Sequence, residues 1–159
     1  MANVEQIAEV RRPELIGALV VQLAARSANE VVVADLAKEL MAGHALINAY
    51  LDVLATLYLV RLLPAWTTSL TNRSKRRPVA QLIDTALAAH LVGQRAEDLS
   101  QIESPWFGPL LESYAVGEIA KQAGWSEQPI TLSHYRDRDQ RIRLGDRLAA
   151  VPVSALWAG

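Results

Sequence analysis

The stretch Met41-Ala42-Gly43-His44 constrains this chain more than any other, because it separates two runs of helical periodicity by a single tight turn. Ahead of it, residues 31–40 place Val33, Leu36, Ala37 and Leu40 on an apolar face opposite Asp35, Lys38 and Glu39, with Asn29 as the expected cap. Behind it, residues 45–59 turn Leu46, Tyr50, Val53, Leu54 and Leu57 to one side. Two helices joined by a glycine-containing turn of this length predict a helix-turn-helix. A further helix over 13–25 precedes them, started by Pro13 and carrying Leu15, Ile16, Leu19, Val20 and Leu23 at helical spacing.

After the third helix the period changes. Residues 58–64 and 79–83 read as short extended runs on either side of a polar segment, 66–77, and a hairpin in this position is a wing. Asp84-Thr85 then caps a helix to Val92, stopped by Gly93. Ser104-Pro105-Trp106-Phe107-Gly108-Pro109 breaks the chain, which puts a domain boundary between Gly93 and Gly108. Beyond it the spacing predicts a helix over 110–123, carrying Leu111, Tyr114, Ala115 and Ile119 and closed by Gly124, and a strand over 130–135. Past Asp139 the pattern decays. The expected fold is α+β: an extension at 1–12, a winged-helix domain at 13–93, a linker at 94–107 and a second α/β segment at 108–159.

Composition sets the outer limits. Hydrophobic residues at 51% of 159 allow one ordinary domain or two small ones sharing a core. A formal net charge of -1 does not draw the whole protein to nucleic acid or membrane, so any such contact must come from a local patch. The absence of cysteine removes disulfides, thiolate zinc sites and cysteine nucleophiles, and fits a reducing compartment. Glu5, Gln6 and Glu9 interrupt the first twelve residues, which therefore lack the apolar core of a secretory signal. The strongest apolar run, 53–63, contains Thr56 and Arg61 and is too short to span a bilayer. A cytoplasmic protein without membrane contact is expected.

Several blocks carry a family resemblance. Tyr50-Leu51-Asp52-Val53-Leu54, Leu62-Leu63-Pro64-Ala65-Trp66, Asp84-Thr85-Ala86-Leu87-Ala88-Ala89, the Gly-x-Leu-x-Glu start from Gly108 to Glu112, and His134-Tyr135-Arg136-Asp137-Arg138-Asp139 follow one another in order. Together, over about residues 4–139, they resemble the C-terminal half of prokaryotic AAA-class ATPases that carry the domain of unknown function 4143. The resemblance implies a winged helix followed by a segment similar to the PD-(D/E)XK nuclease fold. The departures are large: no Gly-x-x-x-x-Gly-Lys-[Ser/Thr] loop is present to cradle phosphates, and no Glu-x-Lys follows Asp139. Ala86 replaces the family's glycine, and the 140–159 tail is expected to reflect a truncation or a change of reading frame.

The candidate sites follow from these blocks. Glu112 matches the helix glutamate of the nuclease-like half and reads either as one surviving Mg²⁺ ligand or as a helix N-terminal carboxylate. Asp137 and Asp139 share a strand face beside Arg136 and Arg138, as metal oxygens or as an exposed charged edge. None of His44, His90 and His134 has a second ligand four residues away, so no metal site is expected. Trp66, Trp106, Trp125 and Trp157 read as packing anchors for loops.

Arg73, Lys75, Arg76 and Arg77 concentrate four cations at the expected wing tip, and with His44 they are the candidate nucleic-acid-binding residues. The alternative is a solvated loop facing another subunit. Asn48 and Asp52 are the polar groups on the third helix, which lacks arginine for guanine edges. The expected function is therefore non-enzymatic, with no catalytic residue and no cofactor. It would be a protein-interaction, self-associating or weak, non-specific DNA-binding remnant of an ATPase. An accessory subunit or degenerate nuclease working with a separate P-loop partner is the alternative.

Overall fold

The computed structural model describes residues 12–66, 77–100, 103–128 and 130–134. Among them the order is α1 (Pro13–Ala25), α2 (Val33–Glu39), α3 (His44–Thr56), β1 (Val60–Leu63), β2 (Val79–Leu82), α4 (Thr85–Leu91), α5 (Ala96–Leu99) and α6 (Phe107–Gly124). The fold is α+β, with helices arranged around one short antiparallel ribbon.

Local chemistry accounts for most of these boundaries. Pro13 occupies the first turn of α1, where its missing N–H costs nothing, and Leu15, Leu19 and Leu23 form the buried stripe. Asp84 caps α4 by accepting from the amides of Ala86 at 2.9 Å and Leu87 at 3.0 Å. Gly93 closes that helix at φ +72°, with Gln94 N–H donating back to the Ala89 carbonyl at 2.9 Å. The α2–α3 turn repeats this closure without glycine: Ala42 N–H reaches the Ala37 carbonyl at 2.9 Å while Met41 takes φ +48°.

β1 and β2 pair in register Val60↔Leu82, Arg61↔Gln81, Leu62↔Ala80 and Leu63↔Val79. Alternation splits the ribbon into two faces. Val60, Ala80, Leu82 and the half-buried Leu62 join the main core with Leu19, Leu36, Ile47 and Leu54, and these last four exclude water completely. Burying each such leucine contributes about 1.5–3 kcal/mol against leaving it exposed. On the other face, Leu63 and Val79 pack with Val116 of α6 and with Leu132 in a much smaller cluster. A third segment touches the ribbon edge, because Glu30 bridges Val79 antiparallel and Val31 N–H donates to the Pro78 carbonyl at 2.8 Å.

Three expectations change. The stretch expected as a linker contains the single-turn α5, whose start is tied by Arg95 N–H donating to Asp98 Oδ2 at 2.9 Å. α6 begins at Phe107, three residues before the predicted start, since Pro109 falls within the first four positions, where no amide partner is required. Residues 130–134 form no strand; among the described residues their one ladder contact is the parallel bridge of His134 to Ala65, and no described strand lies alongside the rest. Among the described residues, no helix is long and apolar enough to cross a membrane.

Candidate functional site

α3 divides its residues between core and solvent with little overlap. Ile47, Tyr50, Leu51, Val53 and Leu54 are buried. Tyr50 also anchors the helix to the entry of α1: its hydroxyl accepts from Arg12 N–H at 3.2 Å and donates to the Arg12 carbonyl at 3.4 Å. The opposite face exposes His44, Ala45, Asn48, Ala49, Asp52 and Thr56. It is small-sided and carries one carboxylate and no lysine or arginine. Thr56 is turned back on the helix, its hydroxyl donating to the Asp52 carbonyl at 2.8 Å.

Large apolar side chains stand at both ends of this face. Met41, in the turn before α3, is 88% exposed, and Tyr58, just after it, is 80% exposed. Leu57 beside Tyr58 is half exposed. Tyr58 takes φ +57°, closing α3 with its own N–H on the Ala55 carbonyl at 3.1 Å and Leu59 N–H on the Leu54 carbonyl at 3.0 Å. Glycine normally fills such a position, because an L side chain there costs on the order of 1 kcal/mol. Two strained, solvent-facing apolar residues therefore frame the helix, and neither stands out in a sequence read by periodicity.

The predicted nucleic-acid residues fall on both sides of the described boundary. Arg73, Lys75 and Arg76 lie outside the described residues. Arg77 is exposed at the return to β2, and His44 is the first, exposed residue of α3, within the helix and not in the turn before it. The base of the β1–β2 connection is held by His134, a residue the sequence did not single out for this role. Its N–H donates to the Pro64 carbonyl at 3.0 Å, its carbonyl accepts from Trp66 N–H at 2.7 Å, and its ring Nε2 meets the Arg77 carbonyl at 3.1 Å. The ring is buried, and that last contact requires the proton on Nε2.

Glu112 is not a helix N-terminal carboxylate: with α6 starting at Phe107, it lies past the first turn and beyond the orphan amides. Burial pushes its carboxyl up to about 7. Asp137 and Asp139 lie outside the described residues, and among those described no three His, Cys, Asp or Glu side chains gather as a metal-ligand set. Trp106 packs against the main core as expected of an anchor, but Trp125 is 82% exposed beyond the end of α6 and belongs to neither core cluster among the described residues. Trp157 also lies outside the described residues. An apolar groove of about 260 Å³ runs between α4 and α6, bordered by Ala86, Ala89, Phe107, Leu110, Leu111 and Tyr114.

Fold and surface together define an α+β domain with a solvent-facing third helix beside a short ribbon. Residues 2–98 match the model of the family described as domain of unknown function DUF8612, and the chain belongs to that family. No curated protein and no solved structure matches it. The family match corrects the resemblance to AAA-class ATPases with the domain of unknown function 4143, since the matched domain is a different one. Two of the blocks behind that resemblance have simple structural causes here. Asp84 is a helix cap, Ala88 and Ala89 are core residues of α4, and Tyr50, Leu51, Val53 and Leu54 form the buried face of α3. Caps and core faces impose the same residue types on unrelated helices.

Proposed function

We propose that this chain is a non-enzymatic binding module of winged-helix design and that its partner is a protein. The order of elements supports the design: α1, the Glu30–Val79 bridge, α2, α3, then the β1–β2 ribbon with its long connection in the place of a wing. In such a design α3 is the helix offered to the partner.

The choice of partner rests on the surface of α3. A phosphate backbone requires cations and base edges require arginine or paired amides, whereas this face offers Asn48 and the repelling carboxylate of Asp52. Tyrosine and methionine are the residue types enriched where proteins meet, and Met41 and Tyr58 stand exposed at its two ends.

A second reading, phosphate contact through the connection, is favoured by Arg73, Lys75, Arg76 and Arg77 lying within five residues of one another. Titration of duplex DNA from about 50 to 200 mM salt separates the two. Protein recognition predicts no binding across this range. Binding whose log K falls against log salt with a slope of about -3.6, and which vanishes when all four cations become alanine, would establish the DNA reading instead.

A further inference from the structure

We propose that α6 is a displaceable cover over the second face of the ribbon, hinged at Leu110 and latched by His134. The main core holds only one end of this helix, where Leu110 packs with Ala88 and Ala89 of α4. Further along, α6 meets the ribbon face that carries Arg61, Leu63, Val79 and Gln81. Among the described residues the apolar cluster there consists of Leu63, Val79 and Val116, with Leu132 at the margin.

The polar groups under the helix are poorly served. Gln81 is fully buried, and neither its side-chain nitrogen nor its oxygen has a hydrogen-bond partner among the described residues. A buried amide in that state opposes the packing that buries it, because water would satisfy both atoms as soon as the cover lifted. Arg61, its cross-strand neighbour, extends beside Gly117, where a Cβ would lie 4.0 Å from its Nη1. It has no carboxylate partner among the described residues. Glu118 on the same helix is engaged instead by Lys121 at 2.6 Å. Burial accordingly lowers the Arg61 guanidinium from its ordinary value.

What holds the closed position is the set of contacts from His134 to both ends of the β1–β2 connection: the two backbone bonds to Pro64 and Trp66, and the ring contact to Arg77. The cover is thus held by Leu110 near its start and, ten residues past its end, by the His134 contacts, with Val116 its main apolar contact between them, an arrangement that opens locally without unfolding the main core. Opening would expose the Arg61–Gln81 pair beside the apolar pair Leu63–Val79.

Hydrogen exchange of the full chain tests this directly. Amides of residues 116–121 should exchange about tenfold or more faster than those of Leu19, Leu23 and Leu54. Gln81→Met, which removes the unsatisfied amide at similar volume, should slow residues 116–121 by about tenfold. His134→Ala should speed the same amides, and neither change should alter the core. Exchange of 116–121 in step with the core in the unmodified protein would overturn the proposal. So would a Gln81→Met chain that fails to fold, or one in which those amides are unchanged or faster, since either result means the amide is satisfied in the closed state.

Discussion

Replacing Tyr58 by glycine should make the protein more stable, although it deletes an aromatic ring. At φ +57° a tyrosine backbone carries a penalty of about 1–2 kcal/mol that glycine does not. Glycine returns part of that gain through the greater freedom of the unfolded chain, about 0.4–1 kcal/mol. The ring, 80% exposed, contributes little burial to lose. The net expectation is a gain of about 0.5–1 kcal/mol, or a rise in midpoint temperature of roughly 2–3 °C for a domain of this size. Tyr58→Ala is the control: alanine keeps the strained backbone and loses the ring, so it should leave stability unchanged or slightly lower. Urea and thermal unfolding followed by circular dichroism would resolve the two variants. Destabilisation of Tyr58→Gly by more than about 0.5 kcal/mol would refute the reasoning, because it would mean that the ring makes stabilising contacts or that the backbone is not strained.

Two other outcomes follow from burial. Leu54→Ala, at a fully buried position in the main core, should cost about 2–5 kcal/mol in urea unfolding, whereas Leu57→Ala at the half-exposed neighbour of Tyr58 should cost under about 1. Glu112 should make stability fall as pH rises. Its folded value of about 7 exceeds the ordinary 4.5, so its contribution is complete below about 4.5 and is lost as pH passes through 7. After allowance for the solvent that still reaches the carboxyl, the loss between pH 5 and 8 should be about 1–2 kcal/mol, and Glu112→Gln should remove that part of the pH dependence.

The helical part of this fold is legible because its signals are local. Leu15, Leu19 and Leu23 recur at the helical period, Asp84 caps, and Gly93 stops. The misses have equally local causes. α5 is a single turn, too short for any period, and Pro105 and Pro109 read as a break although Pro109 sits within the first turn of α6, where a helix tolerates it. Residues 130–134 have the composition of a strand, but pairing depends on a neighbour that no stretch of sequence contains. The site was less legible than the fold. Asn48 and Asp52 were visible as exposed polar residues of the third helix, and His44 as a candidate in the turn before it. Met41 and Tyr58 were not, because glycine is the residue by which a left-handed helix end is recognised. The burial of Gln81 depends on a helix about 35 residues further along the chain, and the ties made by His134 span 57 residues and more.

The claim that the ends of α3 meet a protein is tested most directly by covalent capture in the cell. A photoreactive phenylalanine derivative would be placed in the full chain at position 58, at position 41 and, as an exposed control on α5, at position 97. Discrete protein adducts from 58 and 41, absent from 97, are the predicted result. Equal, diffuse labelling from all three positions, or adducts to nucleic acid alone, would contradict it.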